Sequence, residues 1–106
     1  MIAVIFEVTV DEENGHRYFE LAASLRGELE TVDGFISVER FRSVTDDTKY
    51  VSLSFWRDRA AIEDWHGRAD HRDAQVQGRA GIFEDYRIRV AEVFRDYDMA
   101  AGRPEA

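Results

Sequence analysis

Segments that alternate apolar and polar side chains at period two, interrupted by segments of helical period, restrict this chain to very few folds. Ile2 to Val10 puts Ile2, Val4, Phe6, Val8 and Val10 on one parity and Ala3, Ile5, Glu7 and Thr9 on the other. That pattern predicts a strand with one wholly apolar face. Tyr18, Leu21, Ala22, Leu25 and Leu29 then recur at spacings of three and four, an amphipathic helix over residues 14–31. Asp11-Glu12-Glu13-Asn14 supplies its capping side chains, and Asp33-Gly34 ends it. Phe35 to Val44 and Tyr50 to Trp56 alternate again around Thr45-Asp46-Asp47-Thr48, which reads as a β-hairpin. Asp58 caps a second helical segment running through His66, and Gly67 interrupts it. Asp70 caps a further stretch from His71 to about Ile82. Tyr86 to Tyr97 is the longest alternating segment.

The order is β-α-β-β-α-β, an α+β, ferredoxin-like arrangement of a four-stranded antiparallel sheet with helices on one face. A chain of 106 residues supports one core. The expectation is a single domain over residues 1–98 and a flexible tail over 99–106. A sheet covered on one face leaves the other wet, yet Ile5, Phe35, Phe41, Tyr50, Trp56 and Tyr97 are expected on or near that second face. So many aromatics predict a homodimer, sheet against sheet.

Charge excludes several partners. Lys and Arg number 14 against 22 Asp and Glu, a formal charge of −8, which disfavours nucleic acid and anionic membrane surfaces. With no cysteine, thiolate chemistry and Cys-ligated metals are excluded. The start of the chain has no basic segment ahead of its apolar run, and no run approaches a membrane span. A cytoplasmic protein is expected.

Few residues advertise chemistry. His66 and His71, five apart, sit about 140° apart on a helix and cannot chelate as an i,i+4 pair would; no metal site is expected. His16 falls on the exposed opening of the first helix. Trp65 reads as core packing or as a pocket wall for a planar ligand. His71 reads as a solvated helix-start residue or as a base. Glu7, off the apolar parity of its strand, looks either into a cavity or onto a wetted face. Arg87 and Arg89 are expected to pair with a neighbouring-strand carboxylate such as Glu39. Ser52 and Ser54 have no triad partners at a recognisable spacing, and no phosphate loop is present.

Gly34-Phe-Ile-Ser-Val-Glu-Arg-Phe41, Val51-Ser-Leu-Ser-Phe-Trp-Arg-Asp-Arg-Ala-Ala-Ile-Glu-Asp-Trp-His66, Asp70-His-Arg-Asp-Ala-Gln-Val-Gln-Gly-Arg79 and Tyr86-Arg-Ile-Arg-Val-Ala-Glu-Val-Phe-Arg-Asp-Tyr97 resemble the antibiotic biosynthesis monooxygenase family over about residues 2–97. The resemblance implies a dimeric α+β barrel of ferredoxin-like protomers, each with a pocket between its helices and concave sheet. Some relatives oxidise small aromatic or quinol-type substrates with O2 and no cofactor; others bind and cleave haem. For such a reaction the candidate catalytic bases of this chain are His71 first and His66 second, with Trp65, Phe6 and Glu7 as candidate substrate contacts. The haem branch uses an asparagine on the first strand and a histidine about ten residues after the tryptophan. Here Phe6-Glu7 and Gln75 stand at those places, so no cofactor is expected. A non-catalytic small-ligand binding protein of the same fold is the alternative, with a haem-binding or haem-degrading monooxygenase third.

Overall fold

The computed structural model describes residues 1–11, 13, 15–68 and 83–102. His71, Gln75 and the expected helix after Asp70 lie outside the described residues, as do Glu12 and Asn14 of the expected cap. The elements are β1 (Ile2–Thr9), α1 (Gly15–Leu29), β2 (Phe35–Arg42), β3 (Lys49–Trp56), a helix α2 over residues 59–68, and β4 (Asp85–Glu92). The sheet has four strands in the order β2-β3-β1-β4. β1 pairs antiparallel with both β3 and β4, and β2 with β3. This is the expected ferredoxin-like α+β fold. No helix among the described residues is long and apolar enough to cross a membrane.

β1 carries the architecture because its even parity is wholly apolar. Ile2 and Val8 are buried, and Val10 just beyond the strand is 1% exposed. Opposite them α1 buries Tyr18, Ala22 and Leu29. Buried side chains form two clusters rather than one. Ile2, Leu29, Val32, Trp56 and Ala61 make the first; Val8, Val10 and Tyr18 make the second.

Two expectations need correction. Phe35, Tyr50 and Trp56 face the helices, not the open face: Phe35 pairs with Trp56, which pairs with buried Ile2, and Tyr50 pairs with Val8. Trp56 packs in the buried cluster with Ile2, Leu29, Val32 and Ala61, which turns the serine parity of β3 inward, and its indole N–H donates to Ser54 Oγ at 2.9 Å. Val51, Leu53 and Phe55 therefore join Ile5 and Phe41 on the helix-free face. A bulge between Phe35 and Ser37 throws Ile36 outward, to 53% exposure, and lets Phe35 pack edge-to-face on Trp56 at 5.3 Å. The second correction concerns β4, which stops at Glu92 instead of Tyr97. Its ladder partner begins at Ile2, paired with Glu92, and the last bond is from Val93 N–H to the Met1 carbonyl at 3.0 Å. Phe94, at 91% exposure, lies past that edge.

The corner between α1 and α2 is tightly built. Gly34 adopts φ 94°, a left-handed conformation that glycine tolerates and L-residues resist. Its carbonyl accepts the Arg57 N–H at 2.7 Å, and the Arg57 guanidinium grips both oxygens of Asp33 at 3.2 Å. Asp58 caps α2 as expected, its Oδ1 accepting the Ala61 N–H at 3.0 Å. A hydrogen bond from Arg57, then that cap bond, hold the Asp58 carboxyl below its ordinary pKa.

Gly34→Ala should cost at least about 2 kcal/mol, because positive φ strains any side chain and the new Cβ would lie 2.8 Å from the Ala61 Cβ. Thermal unfolding should show a Tm drop on the order of 10 °C; an unchanged Tm would refute the account of this corner. For Asp58→Ala, the Tm deficit should be complete above the ordinary carboxylate range. It should fade as pH falls through the depressed pKa of Asp58, where wild type loses the charged cap. A deficit that does not vary from neutral pH to about pH 2 would contradict it.

Candidate active site

A cavity of about 360 Å³ lies between the sheet and the two helices, with walls drawn from both buried clusters. Even-parity residues of β1, Val4 and Phe6, form its floor, joined by Val38 from β2 and Ile88 and Val90 from β4. α1 contributes Tyr18, Leu21 and Leu25, and α2 contributes Ile62, Trp65 and His66. The inward parity of the sheet thus produces a mostly apolar chamber, the usual character of a small-molecule site. On edge strand β4, Tyr86, Ile88 and Val90 stay about half exposed.

Aromatic rings define its two ends. Trp65 leans on Trp56 with centroids 6.5 Å apart and planes 31° apart. At the other end Phe6 meets Phe83 edge-on at 5.8 Å and Tyr86 at 5.9 Å, while Tyr18 lies against Phe83 and Tyr50.

Polar groups are few and converge. Arg40, Ser52, Ser54, Tyr18 and His66 all reach the cavity wall. Arg40 stands directly opposite Ser52 in the β2–β3 register, and Ser52 opposite Phe6. Burial pushes the Tyr18 phenol above its ordinary pKa; the Arg40 guanidinium nearby opposes that rise, and Tyr50 adds to it. The Tyr18 hydroxyl nonetheless has no hydrogen-bond partner of good geometry among the described residues, and Arg40 Nε, also buried, has none.

Of the residues singled out from sequence, Phe6, Trp65 and His66 line this one chamber. Glu7 does not. Its carboxylate lies on the helix-free face, between Arg89 Nη1 at 3.2 Å and Lys49 Nζ at 3.6 Å, because its odd parity on β1 points away from the helices. Arg89 accordingly pairs with Glu7 and not with Glu39, since β4 neighbours β1 and β2 is two strands further off. His71 lies outside the described residues. Arg40 and Tyr18 were not anticipated. The available signal was an arginine on the same parity of β2 as Val38, and a tyrosine at the start of the apolar stripe of α1. Among the described residues no group of His, Asp and Glu is arranged to hold a metal ion.

Comparison with known proteins agrees with this geometry. Residues 1–77 match the family model described as antibiotic biosynthesis monooxygenase. The chain is 43% identical over 93 residues to the jasmonate monooxygenase ABM of Pyricularia oryzae, covering 88% of this chain and 43% of that protein. It therefore spans less than half the length of that relative. It is 34% identical over 93 residues to the uncharacterized protein YqjZ of Bacillus subtilis, covering 88% of this chain and 79% of the other. A mutant of SnoaB, a cofactor-independent oxygenase from Streptomyces nogalater, superposes with a TM-score of 0.72 at 15% identity, over 90% of this chain and 94% of that one. At that identity the likeness speaks for the fold alone. With its sheet, cavity and sequence in agreement, the chain belongs to the antibiotic biosynthesis monooxygenase family.

Proposed function

We propose that this chain is a monooxygenase that takes a small aromatic or quinol-type substrate into the cavity and oxidises it with O2, without a metal or flavin, as a cytoplasmic homodimer. The observation that carries the reading is the chamber itself: about 360 Å³, walled by aromatic and aliphatic side chains, with a few convergent polar groups. The name of one relative, a jasmonate monooxygenase, supports the reaction class.

In this mechanism the substrate ring packs against Trp65 and Phe6, which exclude water. A histidine, His66 on the cavity wall or His71, the first candidate base from sequence, removes a phenol proton. The phenolate then gives an electron to O2. One oxygen atom ends on the substrate carbon and the other leaves as water, with all of the electrons drawn from the substrate. Tyr18, its pKa raised, stays protonated at neutral pH and can donate a hydrogen bond to the developing carbonyl.

An oxygen electrode with an anthrone-type or hydroquinone substrate tests this directly. Saturable O2 uptake is expected, and His66→Ala or His71→Ala should lower it by about 100-fold or more, the scale of a lost general base. Saturable binding with no uptake would instead make the chain a binding module, and uptake indifferent to both substitutions would remove the histidine base.

The homodimer is argued from the helix-free face. Ile5 and Leu53 pair at its centre, Phe41 is 46% exposed, and Glu7 is already neutralised by two cations. Light scattering should give about twice 12.3 kDa, and Leu53→Asp should halve it. A wild-type mass of one chain would end the dimer proposal.

A further inference from the structure

Arginine is an expensive residue to place in an apolar chamber, and the way Arg40 is held says what the chamber is for. The residue lies on the inward parity of β2, on the same cavity wall as Val38 and Ser52. Five arginines have carboxylate partners, Arg26 with Glu30, Arg57 with Asp33, Arg59 with Glu92, Arg68 with Asp64 and Arg89 with Glu7, while Arg17, Arg42, Arg87 and Arg95 are exposed to water. Arg40 has no carboxylate partner among the described residues, and its Nε is buried without a hydrogen-bond partner. Beside it the buried Tyr18 hydroxyl has the Arg40 guanidinium as its hydrogen-bonding neighbour, at a geometry short of a full bond. Two such groups in one place are costly to folding unless something completes them.

We infer that Arg40 is the specificity-determining residue of this cavity, and that the substrate class is a small carboxylic acid. The carboxylate would sit on the Arg40 guanidinium and the apolar body between Phe6, Trp65 and Ile88. The inference rests on the proposed substrate cavity and narrows its occupant. Arg40 reaches the cavity wall, and a guanidinium presents planar two-donor edges that match the two oxygens of a carboxylate. Ser52, opposite Arg40 in the register, is a neutral donor suited to a remaining lone pair of that head group. A phosphate would ask for more cationic charge than the wall provides, since Arg40 is its only arginine or lysine among the described residues. The chain's overall charge of −8 makes a single inward cation more selective, because no general basic surface gathers anions non-specifically.

Isothermal titration of the full chain with 3-phenylpropanoate and with its neutral isostere 3-phenylpropanamide separates charge from shape. The acid should bind about 10- to 100-fold more tightly, the range of a charge-assisted hydrogen-bonded pair. Arg40→Met should abolish that preference by lowering the acid affinity to that of the amide, and a Tm within a few degrees of wild type reports that the fold is intact. Should Arg40→Met fail to fold, Arg40→Lys serves in its place, retaining the charge but losing the two-donor edge and so part of the preference. Equal binding of acid and amide by wild type overturns the inference, as does a preference that survives Arg40→Met or an absence of binding by either probe. The result is separate from the oxygenase reading: acid preference with no O2 uptake upholds this inference against that one, and O2 uptake with no acid preference does the reverse.

Discussion

Everything in this fold depends on β1 being paired on both sides. A strand bonded to β3 along one edge and β4 along the other has no free backbone, so only its two side-chain faces remain to be used. The even face is apolar from Ile2 through Val10 and gathers both helices. The odd face, with Ala3, Ile5 and Glu7, is left to the far side of the sheet. One strand thereby sets the floor of the cavity and the centre of the helix-free surface at once. A slip of one residue would exchange them.

The helices are placed by smaller contacts. Gly34 brings the end of α1 against the start of α2, where Arg57 ties Asp33 and Asp58 together. Asp58 starts α2 at residue 59. From that origin Ala61 reaches the buried cluster, while Trp65 and His66, one turn later, reach the chamber. Much of the site geometry is thus inherited from a capped helix start some distance from any substrate.

The order of elements, the hairpin turn and the Asp58 cap were all legible in the sequence, because each depends on neighbours a few residues away. Period two predicts that Val51, Leu53 and Phe55 share a side of β3, and they do. It does not say which side meets the helices, and the packing of Tyr50 and Trp56, on the opposite parity, into the two buried clusters decides that. Phe35 was misplaced for a related reason: a bulge resets parity within a strand without leaving a clear mark in its composition. Glu7 was readable either way, and only the pairing of β1 with the strands bearing Lys49 and Arg89 resolved it. Arg40 and Tyr18 were missed because an isolated charge on an apolar stripe has no meaning until the residues across the cavity are known.

The division of the buried side chains into two clusters with a chamber between them ties the life of the protein to its chemistry. A molecule that fits between the clusters binds the folded chain and not the unfolded one, so it adds stability by mass action, about 2.7 kcal/mol at a hundred times its dissociation constant. That is a large share of what holds a small domain together. Chaperones and proteases act on the unfolded fraction, so the steady amount of this protein in a cell would rise when its ligand is plentiful and fall when it is scarce, with no dedicated regulator.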